Sequence, residues 1–197
     1  MLKLPNWLIG YPVIEVRPEL QQAEIAIVIG HHTMAKGFFS PHFGMAEWDF
    51  NKILTENLNS NVDVYFHSPN ILGYTARQKS TAKQISKKKY KLVIELHFNA
   101  SGHPSANGVE CFHYFLNKKT KGYAKQYCQV MQEEHGLTNR GAKALYNSRQ
   151  NGYGFVYHQK ADAILAELNF GSNLSDCQKV KSAEHAAMSL DIFIKSI

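Results

Sequence analysis

Four residues of this 197-residue chain have types and settings suited to metal-assisted hydrolysis. His31 follows the apolar run Ile25-Ala26-Ile27-Val28-Ile29 and a single glycine, Gly30. His97 ends a second run, Leu92-Val93-Ile94-Glu95-Leu96, and opens the polar stretch His97-Phe98-Asn99-Ala100-Ser101. Glu167 interrupts a third run, Ala163-Ile164-Leu165-Ala166. Glu47 stands at the start of a helical pattern, just beyond the loop that carries His31. In open α/β sheets, groups at the carboxyl ends of strands share one crevice, so a fold of that class can bring all four together. Two imidazoles and a carboxylate suit zinc, and three protein ligands leave a fourth position for water. A further carboxylate that does not bind the metal can act as base, because zinc lowers the pKa of bound water to about 7. Each residue alone has a plainer explanation. A carboxylate such as Glu47 is favoured at a helix N-terminus by the dipole, and a lone histidine is more often a surface or hydrogen-bonded group than a ligand. Glu167 is harder to explain away, since a carboxylate on a buried strand needs a partner.

The elements that must position these groups follow from apolar periodicity. The run at 25–29 reads as a central strand buried on both faces. Phe50, Ile53, Leu54 and Leu58 recur at helical spacing over 46–58, and Asn59-Ser60-Asn61 ends that helix. Val62, Val64 and Phe66 alternate as a second strand, 74–88 is a polar helix, and 92–97 is a third strand. Residues 108–115 alternate again. A helix is expected over 120–135 with Gly136 as its stop, loops over 137–160 around Gly141, Gly152 and Gly154, and a last strand over 163–168. Ser175-Asp176-Cys177-Gln178 resembles a capping box opening one final helix that ends near Ile194. Strands alternating with helices predict a single-domain α/β fold, with a mostly parallel twisted sheet and helices on both faces. Residues 1–22 read as an extended N-terminal arm, with Pro5, Pro12 and Pro18 breaking helix.

Composition narrows the classes. Hydrophobic residues make up 44% of the chain, enough for a sizeable core and against disorder. No apolar run approaches the roughly 20 residues of a membrane helix, and the first seven residues do not resemble a signal peptide. Cys111, Cys128 and Cys177 form no paired spacing, which argues against a disulfide framework or a cysteine zinc site and for buried free thiols. The net charge of +6, with clusters at Lys87-Lys88-Lys89 and Lys118-Lys119, suits solvated helix ends or attraction to an acidic polymer. Nucleic acid and an anionic cell envelope both fit that description, but no recognisable nucleic-acid-binding motif is present.

The motifs resemble those of the zinc-dependent N-acetylmuramoyl-L-alanine amidases of the type-3 catalytic-domain family, which include many phage endolysins, over about residues 24–195. Ile29-Gly30-His31 resembles the first histidine motif and Ala46-Glu47-Trp48-Asp49-Phe50-Asn51 the acidic helix start. His97-Phe98-Asn99-Ala100-Ser101 with Gly108-Val109-Glu110 resembles the second histidine motif and the strand after it. Asn139-Arg140-Gly141 resembles the loop before the last strand, and Glu167-Leu168-Asn169-Phe170-Gly171-Ser172-Asn173 the catalytic-glutamate motif. The five pieces occur in family order. The chain departs from the pattern in three places. Val28-Ile29-Gly30-His31-His32-Thr33 replaces the usual Asp-Pro-Gly-His-Gly-Gly, Glu95 stands where serine is usual, and Asn169 replaces a usual glycine.

The resemblance implies a catalytic domain over 23–197, zinc held by His31, Glu47 and His97, and Glu167 as the general base. It implies hydrolysis of the amide joining N-acetylmuramic acid to the L-alanine of peptidoglycan. His32 is the alternative ligand at the first motif, since adjacent strand-end residues point opposite ways. Glu95 either accepts a hydrogen bond from His97 and orients it or pairs with a lysine away from the site. Asn99 and Ser101 fix the loop or contact substrate. Arg140 binds a peptide carboxylate or makes an ordinary surface ion pair, and Tyr146, Tyr153 and Tyr157 either pack or line a sugar groove. The implied setting is synthesis in the cytoplasm and action on the cell wall, as a phage or prophage lysis enzyme or a bacterial remodelling enzyme. The competing readings are a non-catalytic peptidoglycan-binding module and a basic nucleic-acid-binding protein.

Overall fold

Strand β1 (Ile25–Ile29) is buried at every position, which explains its uninterrupted apolar sequence. The computed structural model describes residues 22–103 and 105–197; the expected arm at 1–22 lies, apart from its last residue, outside the described residues. After β1 come a two-residue pair, β2 (Phe39–Ser40) and β3 (Met45–Ala46), then helix α1 (Glu47–Glu56) and β4 (Val62–Phe66). Helix α2 (Tyr74–Ile85), β5 (Leu92–Asn99), β6 (Val109–Tyr114) and α3 (Lys118–His135) follow. The chain continues through β7 (Asn139–Leu145), α4 (Tyr153–His158), β8 (Ala163–Phe170), α5 (Leu174–Val180) and α6 (Ala183–Lys195).

Among the described residues, six strands form one sheet in the order β4-β1-β5-β8-β6-β7. The pairs β1–β4, β1–β5, β5–β8 and β6–β7 are parallel, and β6 runs antiparallel to β8. The fold is the expected α/β domain with a mostly parallel sheet. Side chains alternate between its two faces. One face buries Ile25, Ile27, Leu92, Ile94, Leu96, Phe98, Ile164, Ala166 and Leu168 against Phe50 and Leu54 of α1, Tyr127 and Met131 of α3, and Leu190 and Phe193 of α6. The other buries Ala26, Val28, Val93, Ala163 and Leu165 against Ile85 of α2 and Phe155 and Val156 of α4. Cys111, Cys128 and Cys177 are free and buried. No described helix is long and apolar enough to cross a membrane.

Three local expectations are corrected. The stretch 137–160 contains a strand and a helix as well as loops. Gly141, with φ 83°, lies where the β6–β7 register shifts, so its glycine marks an irregularity inside an edge strand. The final helical region is two helices, because Lys181 takes a left-handed φ of 70° and Ser182 caps α6 by accepting from the His185 N–H. Asn173, upstream of the expected capping box, caps α5 by accepting from the Asp176 N–H.

Asp176 itself ties this region to the site. Its buried carboxylate accepts from the backbone N–H of Gly108 at 2.7 Å and of Phe170 at 3.0 Å. It thereby joins the start of β6 to the end of β8. Ser172 Oγ makes a second tie, accepting from the Ser101 N–H at 3.0 Å. Asp176→Ala leaves two buried donors unpaired and is expected to destabilise the fold by about 3 kcal/mol. That corresponds to a fall in melting temperature of roughly 6–12 °C. Asp176→Asn, which keeps an acceptor, should lose less, and thermal unfolding followed by circular dichroism checks the order.

Candidate active site

β1 and β5 are parallel neighbours, so His31 and His97 emerge at the same end of the sheet. Glu47 is the first residue of α1, and its N–H donates to the Phe38 carbonyl while that of Trp48 donates to Lys36. This anchoring aims the Glu47 side chain back at both histidines. His31 Nε2 lies 3.1 Å from Glu47 Oε2 and His97 Nδ1 lies 2.7 Å from Glu47 Oε1. The Phe98 and Phe38 N–H groups also donate to this carboxylate, at 3.2 and 3.4 Å. One ligand atom from each of His31, Glu47 and His97 lies within 4.8 Å of the others. His32 is not part of this cluster; it forms a backbone bridge with Ala35.

Two glycines make the approach possible. A Cβ on Gly30 would come within 2.3 Å of the His97 ring, so the imidazole packs against bare backbone. A Cβ on Gly37, whose φ is 79°, would meet Glu47 Oε2 at 2.5 Å and the His31 ring at 2.7 Å. His31 itself holds φ 64°, an uncommon conformation for a residue with a side chain and one that concentrates at functional sites.

Glu167 stands opposite His97 in the β5–β8 pairing and opposite Glu110 in the β8–β6 pairing. The three side chains thus form a row across one face of the sheet. His31, His97 and Glu167 line a cleft of about 420 Å³ together with Tyr74, Asn99, Phe112, Asn151, Gly152 and Leu165. Oε2 of Glu167 is buried and has no hydrogen-bond partner among the described residues. Burial pushes its carboxyl up to about 8, against the opposing pull of His97 and with help from Glu47, Glu110 and Glu95. Glu47 behaves in the opposite way. Burial raises it, but the bonds to His31 and His97 and their charge outweigh burial and hold it at about 2. Two carboxyls beside His97 therefore sit in opposite protonation regimes.

Glu110 is neutralised from the other side. Asn99 Nδ2 donates to it at 2.7 Å, Arg140 Nε at 2.6 Å, and Lys143 Nζ also binds it. Burial raises Glu110, but these donors outweigh it and lower its pKa. Arg140 is thus committed to an internal carboxylate and lies 5.0 Å over the Phe170 ring. Tyr153 and Tyr157 stack at 5.1 Å and meet Tyr114, while Tyr146 meets Phe115, all outside the lining of the cleft.

Among the described residues, Glu95 pairs with no lysine. It is fully buried on the same sheet face as His97, with Oε1 2.6 Å from His67 Nε2 and accepting from Gln78 Nε2 at 3.3 Å. Burial raises it, but His67 and His97 outweigh that and hold it at about 2. His67 carries no motif. Its signal in the sequence is its place directly after the β4 run, the same strand-end position that marks His31.

The comparisons with known proteins agree with this architecture. The family model for N-acetylmuramoyl-L-alanine amidase matches residues 25–193. Among solved structures, the catalytic domain of the CD27L endolysin targeting Clostridia difficile is 26% identical, with a TM-score of 0.70 over 87% of this chain and 96% of that one. The catalytic domain of CwlV, an N-acetylmuramoyl-L-alanine amidase from Bacillus (Paenibacillus) polymyxa, is 17% identical, with a TM-score of 0.65 over 88% and 97%. Ami1 from Mycobacterium smegmatis is 15% identical, with a TM-score of 0.61 over 87% and 95%. At their identities, the last two bear on the fold alone. No curated protein matches the chain. With the family model spanning the whole sheet and every residue of the cleft, the chain belongs to the N-acetylmuramoyl-L-alanine amidase family.

Proposed function

We propose that the protein hydrolyses the amide bond between N-acetylmuramic acid and L-alanine of peptidoglycan, using zinc held by His31, Glu47 and His97, with Glu167 as general base. The observation that carries this reading is the unpartnered buried Oε2 of Glu167 on a residue that shares its cleft with the two histidines. The donor set fits zinc: two imidazole nitrogens and a carboxylate oxygen within 4.8 Å, with both rings already turned toward Glu47. Bound there, zinc would polarise the scissile carbonyl and make a water nucleophilic at neutral pH.

The chain's own residues do the proton work. Glu167 accepts the proton of the attacking water and delivers it to the alanine nitrogen as the carbon–nitrogen bond breaks. One group serves as base and then acid, which requires a pKa nearer neutrality than that of a free glutamate. Glu47 stays ionised beside it as a ligand. The family membership and the likeness to an endolysin catalytic domain support action on the cell wall, in lysis of the phage type or in wall remodelling.

Glu167→Gln is expected to keep zinc and to lower turnover of purified peptidoglycan by about 10²–10⁴-fold. Mass spectrometry of the released stem peptides reads this out, and a parent-like rate removes Glu167 as the base. His97→Ala should instead lose metal in elemental analysis, and chelation of the parent should abolish activity that added zinc restores. Glu167 also gives the metal-free protein a pH signature. Its folded pKa is raised, so the stability it contributes is full below its unfolded value and is lost as pH rises through about 8. The melting-temperature advantage of metal-free Glu167→Gln over the metal-free parent should therefore grow between about pH 5 and pH 9.

A further inference from the structure

His97 is gripped at one ring edge by Glu47, and its other edge faces a second buried carboxylate. Nε2 of His97 lies 3.6 Å from Glu95 Oε2. That oxygen is buried and has no hydrogen-bond partner among the described residues. The other oxygen, Oε1, is held by His67 Nε2 at 2.6 Å and by Gln78 Nε2 at 3.3 Å. His67 is in turn fixed by Thr81 Oγ1, 2.8 Å from its Nδ1. All of these side chains except His97 are less than 6% exposed. A buried carboxylate with one satisfied and one open oxygen is expensive to keep, and its open oxygen faces the ring that the site must orient.

Resting on the zinc reading of the site, we propose that Glu95, anchored by His67, is a positioning residue that holds the Nε2–H of His97 and so directs Nδ1 toward the metal. A histidine that binds metal through one nitrogen commonly donates its other N–H to a carboxylate, which fixes both tautomer and ring orientation. Here the contacts run from Thr81 on α2 through His67, just after β4, and directly from Gln78 on α2, to Glu95 and His97 on β5, and on to Glu47 on α1. Gly30 completes the seat, because its missing Cβ lets the ring settle between the two carboxylates.

The test measures zinc affinity of the purified chain by competition with a chromophoric chelator, alongside the visible spectrum of the cobalt-loaded protein. Glu95→Gln, which keeps shape but removes the charge, is expected to weaken zinc by about 10–100-fold. It should also alter the cobalt bands. His67→Gln, which leaves the carboxylate in place, should weaken zinc less, and the double variant should be no weaker than Glu95→Gln alone. If Glu95→Gln does not fold, Glu95→Ser and His67→Gln carry the same expectation of weakened zinc. Parent-like zinc affinity and cobalt spectrum in the folded variants, with only a lower melting temperature, would make the pair merely structural and overturn the proposal. His31→Ala separates the two readings. Zinc retained in that variant overturns the metal site itself, whereas zinc lost there but unchanged in the Glu95 and His67 variants overturns the positioning role alone.

Discussion

Glu47 is a carboxylate taken out of water, and the arrangement of the site follows from what makes its burial tolerable. Moving an ion of this size into a protein interior carries a penalty of several kcal/mol, even after relaxation. Two imidazoles and two backbone N–H groups answer that penalty, and they come from separate places: the loop after β1, the end of β5 and the turn before β2. The helix start adds its own favourable field. Because one carboxylate draws on all these parts, the strand ends and α1 hold a common geometry. The left-handed backbone of His31 and the bare backbone of Gly30 and Gly37 are the local concessions to that geometry.

The two sheet faces differ for the same reason. The face under α1, α3 and α6 is packed with apolar side chains along its strands. The face under α2 and α4 is apolar only along part of its strands. On that same face stand Glu95, His97, Glu167 and Glu110, each on a strand that would otherwise be core. These groups are not interchangeable. Glu47, Glu95 and Glu110 each have cationic or hydrogen-bonding partners and are held low, while Glu167 has none for its inner oxygen and is held high. The polarity of each neighbourhood thus sets the protonation of each carboxyl apart.

Much of this was readable from residue types. The apolar runs of β1, β5 and β8 identify strands because both of their faces are covered, and their terminal polar residues mark the cleft. Elements that depend on single dihedral angles were not readable. β7 looks like a loop because Asn139, Arg140 and Lys143 are polar and Gly141 lies at a register irregularity. The break between α5 and α6 rests on the backbone of Lys181. The pair β2–β3 is too short to show alternation. In the site, His31, Glu47, His97 and Glu167 stood out through strand-end placement and motif order. His67 and Gln78 did not, because their involvement comes from how α2 and β4 pack beside β5, which no local spacing encodes.

The ties made by Asp176 and Ser172 have a further consequence. Gly108 and Ser101, at the two ends of the segment joining β5 to β6, are each bound to residues that follow Glu167 in the chain or on the helix after it. The segment between them is therefore clamped at both ends by the β8 side of the fold, independently of its own length. Closing a longer loop adds little entropy for each added residue. The connection between Ser101 and Gly108 is thus a place where this scaffold can be lengthened or shortened, while the row of His97, Glu167 and Glu110 keeps its register.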